Sequence, residues 1–404
     1  MRWSTLNPWK DLAGLPRESW LIALATLVNR AGTMVMPFLV LFLTRDRGLP
    51  PTRAGLAIAV YGVVALVWSP VAGRLGDAWG QLRMVKASLF CSALVLLAIP
   101  LFHSYAAILL GMVLLAFTSE PVRPATMALV SHLAPAHRRR QAFALNRLAV
   151  NLGMSIGPTV GGFLAEASFR SLFWVDAATS LLAGLVLVFI PFRAPRHFHD
   201  VTAAPARSAL SDRRLLYALA ALLPVLLVFF QHVSTMALYL VETLGFRPSV
   251  YGGLFFVNTL VIVLTEVRLN TLTAHWPFSR SLAMGALLAT LGFGGLAVAR
   301  SLPAVVGTVL LWTAGEMVLF PTASAYISEI SPPSRRGEYL GFYTMVFGLA
   351  FSLGPWLGTL VFERWGAVPL WLLCLPVGGL SAWGLSRVSV RTHPAAAPAV
   401  ASPP

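Results

Sequence analysis

Glu120, Glu316 and Asp77 lie within or beside long apolar runs of a chain that is 57% hydrophobic and only 11% charged. A charge inside such a run is costly unless it faces a cavity or a partner, so each of the three is a candidate for proton handling or gating. Glu120 and Arg123 are three residues apart and project from one helix face, with Arg30 and Arg147 at comparable depth in other runs. Three readings fit Glu120: a gating network with Asp77 and Arg83, a protonatable site, or a static ion pair that fixes packing. Two fit Glu316: a proton site, or a structural partner of Arg30 or Arg147. Glu266 and Arg268 read as snorkelling or locally paired, and Glu242 as solvated.

Polar and aromatic side chains that could line a substrate cavity are Asn29, Arg30, Tyr61, Arg147, Gln231, His232, Asn258 and Trp312. His232 could titrate near neutrality, or be a hydrogen-bonded structural residue. Other chemistry finds no support. No phosphate-binding Gly-rich loop, metal-ligand spacing or local Ser/His/Asp arrangement is present. Cys91 and Cys374 sit in apolar stretches and read as small hydrophobes. The expectation is a non-enzyme without cofactor or metal, driven by an ion gradient, with protons the expected ion.

The elements that must position these residues are membrane helices. Each crossing needs about 20 apolar residues. Runs of that length fall near 19–43, 53–72, 84–102, 105–127, 143–166 and 169–190, then near 214–240, 248–269, 282–299, 302–325, 339–362 and 367–387. The first run lacks a small-residue cleavage site and reads as a retained helix rather than a signal peptide. The formal charge of +15 does not imply a nucleic-acid partner. With both termini placed in the cytoplasm, 20 Lys/Arg fall in cytoplasmic segments and 7 outside, including Arg138, Arg139, Arg140, Arg335 and Arg336 on the cytoplasmic side. This asymmetry is a topology signal, and the basic face meets anionic lipid.

The chain also repeats itself at an offset of 197 residues. Gly55 maps to Gly252, Trp79 to Trp276, and Pro124, Arg138 and Arg139 to Pro321, Arg335 and Arg336. Ser155, Gly157, Pro158, Gly161 and Glu166 map to Ser352, Gly354, Pro355, Gly358 and Glu363. The expected fold is an all-α polytopic membrane protein of twelve transmembrane helices, in two parallel six-helix halves related by an axis along the membrane normal. The expected boundaries are residues 1–190 for the first half, 191–213 for a cytoplasmic linker, 214–387 for the second half and 388–404 for a disordered Ala/Pro-rich tail. Gly153, Gly157, Pro158, Gly161 and Gly162, with Gly354, Pro355 and Gly358, make smooth, bent faces that allow close helix packing.

Two motifs carry a family resemblance. Gly73-Arg74-Leu75-Gly76-Asp77-Ala78-Trp79-Gly80-Gln81-Leu82-Arg83 resembles the loop 2–3 signature of the major facilitator superfamily, with its final basic pair reduced to Arg83. Asn151 to Gly162 resembles the Gly-Pro-rich helix-five signature of that superfamily's proton-driven exporters. Glu120-Pro121-Val122-Arg123-Pro124 is similar to a segment of a bacterial multidrug-exporter subgroup. The second half holds a worn loop motif, with Ala274 where the first half has Asp77. The resemblance implies a gate built on Gly73, Asp77, Gly80, Arg83 and Arg123, with the start of helix eleven near Glu338 or Tyr339 as the partner of Asp77. It implies a monomer in the bacterial inner membrane, in contact with lipid and a small-molecule substrate. The leading expectation is proton-coupled efflux of amphipathic or lipophilic compounds, resembling twelve-helix drug:proton antiporters. The alternative is proton symport of a small nutrient such as a sugar, peptide or organic anion.

Overall fold

Apolar runs of spanning length fold as helices, because a helix satisfies its own N–H and C=O groups where water cannot. The computed structural model describes residues 14–135, 138–188, 209–332 and 335–389. Most of the expected tail, most of the linker and part of the first polar segment lie outside them. In the first half α1 runs over Arg17–Asp46, α2 over Pro51–Trp79, α3 over Gln81–Leu101, α4 over Tyr105–Leu133, α5 over Arg139–Ala167 and α6 over Phe169–Val188. In the second half α7 starts as Arg213–Phe229, followed by α8 (Pro248–Thr273), α9 (Phe278–Gly295), α10 (Leu302–Ile330), α11 (Arg336–Trp365) and α12 (Ala367–Leu385). Eleven of these elements have a described stretch long and apolar enough to cross a membrane. The 18-residue α9 packs against α10 and α12 and completes the second set of six. The protein is therefore an all-α, multi-pass membrane bundle of two six-helix halves.

Helices α1 and α7 are not the continuous spans that their apolar composition suggests. The first turns of α1 end at Ala31 and the helix restarts at Val35, while α7 passes through a tight turn at Phe230–Val233 and resumes at Thr235–Leu238. Both end in a wide, π-type turn, Phe42–Asp46 and Tyr239–Thr243. These turns lie in register at the repeat offset. The α5 glycines pack around the break in α1: a Cβ on Gly153 would stand 2.9 Å from the backbone of Ala31, and one on Gly157 3.1 Å from the carbonyls of Arg30 and Thr33. Gly354 of α11 meets α7 in the same way, 3.1 Å from the Leu227 carbonyl.

The apolar core is divided unequally between the two ends of the bundle. One cluster joins both halves, with Phe38, Ile58 and Phe173 packed in the same body as Tyr239, Tyr251, Phe293 and Trp371. A second cluster contains only first-half residues, such as Ala72, Met84, Leu129 and Leu145, and a third only second-half residues, such as Leu215, Leu282, Tyr326 and Tyr339. The shared cluster lies toward the face that carries the α1–α2 and α7–α8 loops, here called the distal face. The separate clusters lie toward the face that carries Arg74, Arg83, Arg138, Arg139, Arg335 and Arg336, the basic face. The halves thus share one buried core toward the distal face and keep separate cores toward the basic one.

Candidate functional site

Two adjoining cavities occupy the first half and share Asn29, Arg30, Val122 and Arg123 in their walls. The larger, about 510 Å³, is mainly apolar, with Ile22, Leu89, Met127, Phe143 and Met154 among its lining residues. The smaller, about 200 Å³, is polar and reaches Tyr61, Ser119, Glu120, Asp176 and Ser180. Together they form a space with an apolar vestibule and a charged tip.

The tip is positioned by four helices. Arg30 stands just before the break of α1, Glu120 and Arg123 at the Pro121 bend of α4, Tyr61 on α2 and Asp176 on α6. Tyr61 donates from its hydroxyl to Glu120 Oε1 at 2.6 Å and lies 3.1 Å from Ser119 Oγ. Asn29 donates to Ser180 at 3.2 Å. Asp176, 8% exposed, accepts from the backbone N–H of Met34 and of Val35, both at 3.4 Å. A helix start leaves such donors without intrahelical partners, so this carboxylate is what lets α1 restart inside the bundle. Asp176 is absent from the residues singled out by sequence. The signal was there, an acidic residue within the run 169–190, on the same cost argument that selects Glu120.

The second half repeats the arrangement with different chemistry. Asn258 of α8 holds the position of Tyr61, and Glu316 of α10 that of Ser119. Asn258 Nδ2 donates to Glu316 Oε2 at 3.0 Å and to Thr313 at 2.9 Å. Glu316 therefore has a neutral amide as its partner, and neither Arg30 nor Arg147 pairs with it among the described residues. Arg147 instead meets Glu266 across the halves at 3.3 Å, so Glu266 is not paired within its own helix. Glu242 is not merely solvated, since Arg45 bonds it directly.

Of the eight cavity candidates, Asn29, Arg30, Tyr61 and Arg147 line these spaces. Gln231 is buried and ties α7 to α11, donating to the Leu227 and Gly354 carbonyls at 2.9 and 2.8 Å and accepting from Thr235. His232 bonds the Phe229 carbonyl at 2.6 Å and stacks on Trp312 at 5.9 Å, inside an aromatic cluster with Phe230 and Phe293. In this conformation these residues, with Asn258, stand outside both cavity walls. On the basic face Asp77 is exposed and accepts from Gln81 at 2.6 Å. Glu338 and Tyr339, at the start of α11, are engaged within their own half: Glu338 with Arg335 and the Ala209 N–H, Tyr339 with Asp212. Asp77 and the start of α11 therefore have separate partners in this conformation. Glu120 belongs to the Tyr61 cluster and not to a network with Asp77 and Arg83. No group of three or more His, Cys, Asp or Glu residues among the described ones could hold a metal ion.

The sequence profile described as Major Facilitator Superfamily matches residues 22–322 and 234–403. The chain belongs to the major facilitator superfamily. It is thus a transporter rather than an enzyme, a secondary active carrier that works by alternating access. It is 26% identical over 401 residues to the MFS-type transporter YqjV of Bacillus subtilis (strain 168), covering 94% of each chain. It is 28% identical over 162 residues to the quinolone resistance protein NorA of Staphylococcus aureus, a match that spans 39% of this chain and 40% of NorA. Its fold overlays a D-xylose-proton symporter with a TM-score of 0.71 at 17% identity, over 92% of this chain and 97% of that one.

Proposed function

We propose that this carrier moves a small amphipathic compound bearing an acidic group, an organic anion or zwitterion, in symport with protons. It would act as a monomer in a bacterial inner membrane, with its termini and basic face in the cytoplasm. The carrying observation is the cavity tip, where Arg30 and Arg123 stand at the end of an apolar vestibule. Guanidinium groups match a carboxylate head in charge and in fork geometry, and the vestibule suits an apolar body. The acidic groups there have other work, Glu120 with Tyr61 and Asp176 with the backbone of α1.

The sign of the substrate charge favours symport over exchange. Glu316 lies at the depth of the cavity tip by the pseudo-two-fold, and only neutral groups bond it. An anionic substrate and an ionised Glu316 repel in a medium of low dielectric. A proton on Glu316 removes that repulsion, so proton and anion favour each other's binding, a reciprocal coupling. A cationic substrate would compete with the proton and be exchanged for it. A second reading, efflux, draws on the match to NorA, a quinolone resistance protein, which covers less than half of either chain.

The test is transport by the purified protein in liposomes containing a pH dye, with a panel of amphipathic carboxylates, zwitterions and cationic dyes. Carboxylate uptake with protons following it inward supports the proposal. Proton release in exchange for cationic compounds, with carboxylates inert, replaces it by drug:proton antiport.

A further inference from the structure

Helices α2 and α8 open in the same way. Each begins with a proline, Pro51 and Pro248, after an extended residue whose side chain supplies no cap. Proline carries no N–H, so the first backbone donors of these helices are those of Thr52 and Ser249. Both donors are met from the opposite half. Glu363, near the end of α11, accepts from the Thr52 N–H at 2.7 Å. Glu166, near the end of α5, accepts from the Ser249 N–H at 3.2 Å. Thr52 and Ser249 are equivalent positions of the repeat, and so are Glu166 and Glu363. The distal face therefore carries two crossed helix caps related by the pseudo-two-fold.

Each carboxylate also faces the positive end of a helix dipole. Arg247 stands near Glu166, and Arg53 and Arg364 near Glu363, yet no ion pair among the described residues uses either carboxylate. The contact is close as well as polar. A Cβ on Gly162 would lie 2.7 Å from the Cα of Ser249, and one on Gly55 3.0 Å from the Pro355 carbonyl. A parting of the halves of little more than an ångström at this face would break both bonds.

We propose that Glu166 and Glu363 are paired positioning residues of the transport cycle, latching the distal gate through each other's half and releasing together when the cavity turns to that face. This rests on the alternating-access reading above. Losing a cap favours the distal-open state, by about twofold to fivefold for each.

The experiment measures distances between spin labels in a variant lacking Cys91 and Cys374. One pair, Ser104→Cys with Ser301→Cys, reports the distal face; the other, His132→Cys with Glu329→Cys, reports the basic face. Expected on adding Glu166→Ala or Glu363→Ala is a longer distal population and a shorter basic one, largest in the double variant and intermediate with Glu→Gln. Glu→Asp variants, which keep the charge but retract it, serve if alanine prevents a monodisperse preparation. An unchanged distal distribution in the folded double variant, while pH or substrate still shifts both label pairs oppositely, overturns the latch and leaves alternating access standing. If neither pair responds to any condition, both readings fall.

Discussion

Asn258 donates to Glu316 across 3.0 Å from the position that Tyr61 holds in the first half, where the partner is Glu120. One scaffold position thus serves a carboxylate in each half, with a phenol in one and an amide in the other. The first carboxylate shares its cavity with two arginines, whereas the second is bonded only by a neutral group.

That asymmetry predicts the outcome of neutralising each acid. Glu316→Gln is expected to abolish uphill, proton-driven uptake while preserving exchange of labelled for unlabelled substrate. Glu120→Gln removes a negative charge beside Arg30 and Arg123 and is expected to keep both activities, with anion binding unchanged or tighter. Counterflow and gradient-driven uptake in the same liposomes separate the two. Equal loss of both activities in Glu316→Gln would remove it from the proton path.

Replacing the cavity arginines should act on affinity. A charge-assisted hydrogen bond contributes about 1.5–3 kcal/mol, so Arg30→Ala and Arg123→Ala are each expected to raise the Kd of an acidic substrate about tenfold to a hundredfold. Lysine keeps the charge but loses the fork and should recover only part. Binding calorimetry on detergent-solubilised protein reads this directly. An effect confined to cationic ligands would contradict the anion assignment.

Asp176 supports the break in α1 through the Met34 and Val35 N–H groups. Asp176→Ala leaves the Val35 N–H unsatisfied, while Met34 keeps the Gly32 carbonyl, and is expected to cost about 1–3 kcal/mol of stability. Asp176→Asn retains an acceptor and should lose less. Thermal unfolding in detergent ranks the two. Wild-type stability in the alanine variant would mean that water replaces the carboxylate at no cost.

Gly62 is a point of close approach between α2 and α11, since a Cβ there would stand 2.7 Å from the Ser352 side chain and 2.8 Å from its Cα. Gly62→Leu overfills this contact and should destabilise the distal-closed state by about 1–3 kcal/mol. Cysteine labelling at distal-face positions should then accelerate. Slower labelling would point to a different seam.

Arg45 and Glu242 are equivalent residues of the two halves and pair with each other at the distal face. Both side chains are partly exposed, at 41% and 38%, so the pair should contribute no more than about 1 kcal/mol. Arg45→Glu alone should favour distal opening slightly, and adding Glu242→Arg should restore the wild-type distance distribution. Failure of the double swap to restore it would show that the pair does not report on the gate.

The fold was legible because its causes are local or periodic. The repeat register that links Pro158 to Pro355 and Gly161 to Gly358 carries through the structure as paired helix-interior prolines and close helix contacts. Partners were less legible. Glu266 joins Arg147, Glu242 joins Arg45 and Glu316 joins Asn258, each across a long stretch of chain. The interruption of α1 was only partly legible: Gly32 and Pro37 mark it locally, since the Pro37 ring cannot bond the Thr33 carbonyl, but Asp176, which caps the restart, lies five helices away. Likewise Glu166 and Glu363 stand out as a repeated pair, but nothing near them in sequence names Thr52 and Ser249 as their donors.

By itself the sequence determined the solvent, the helix count and the two-half symmetry. These follow from apolar length, the scarcity of charge and a copied register, all properties of the chain read in order. Tertiary structure decided toward which face the halves share one core, which carboxylate meets an arginine and which meets an amide, and what caps the restart of α1. Those depend on contacts between halves, and a carrier that works by alternating access must make and break such contacts with one unchanging sequence.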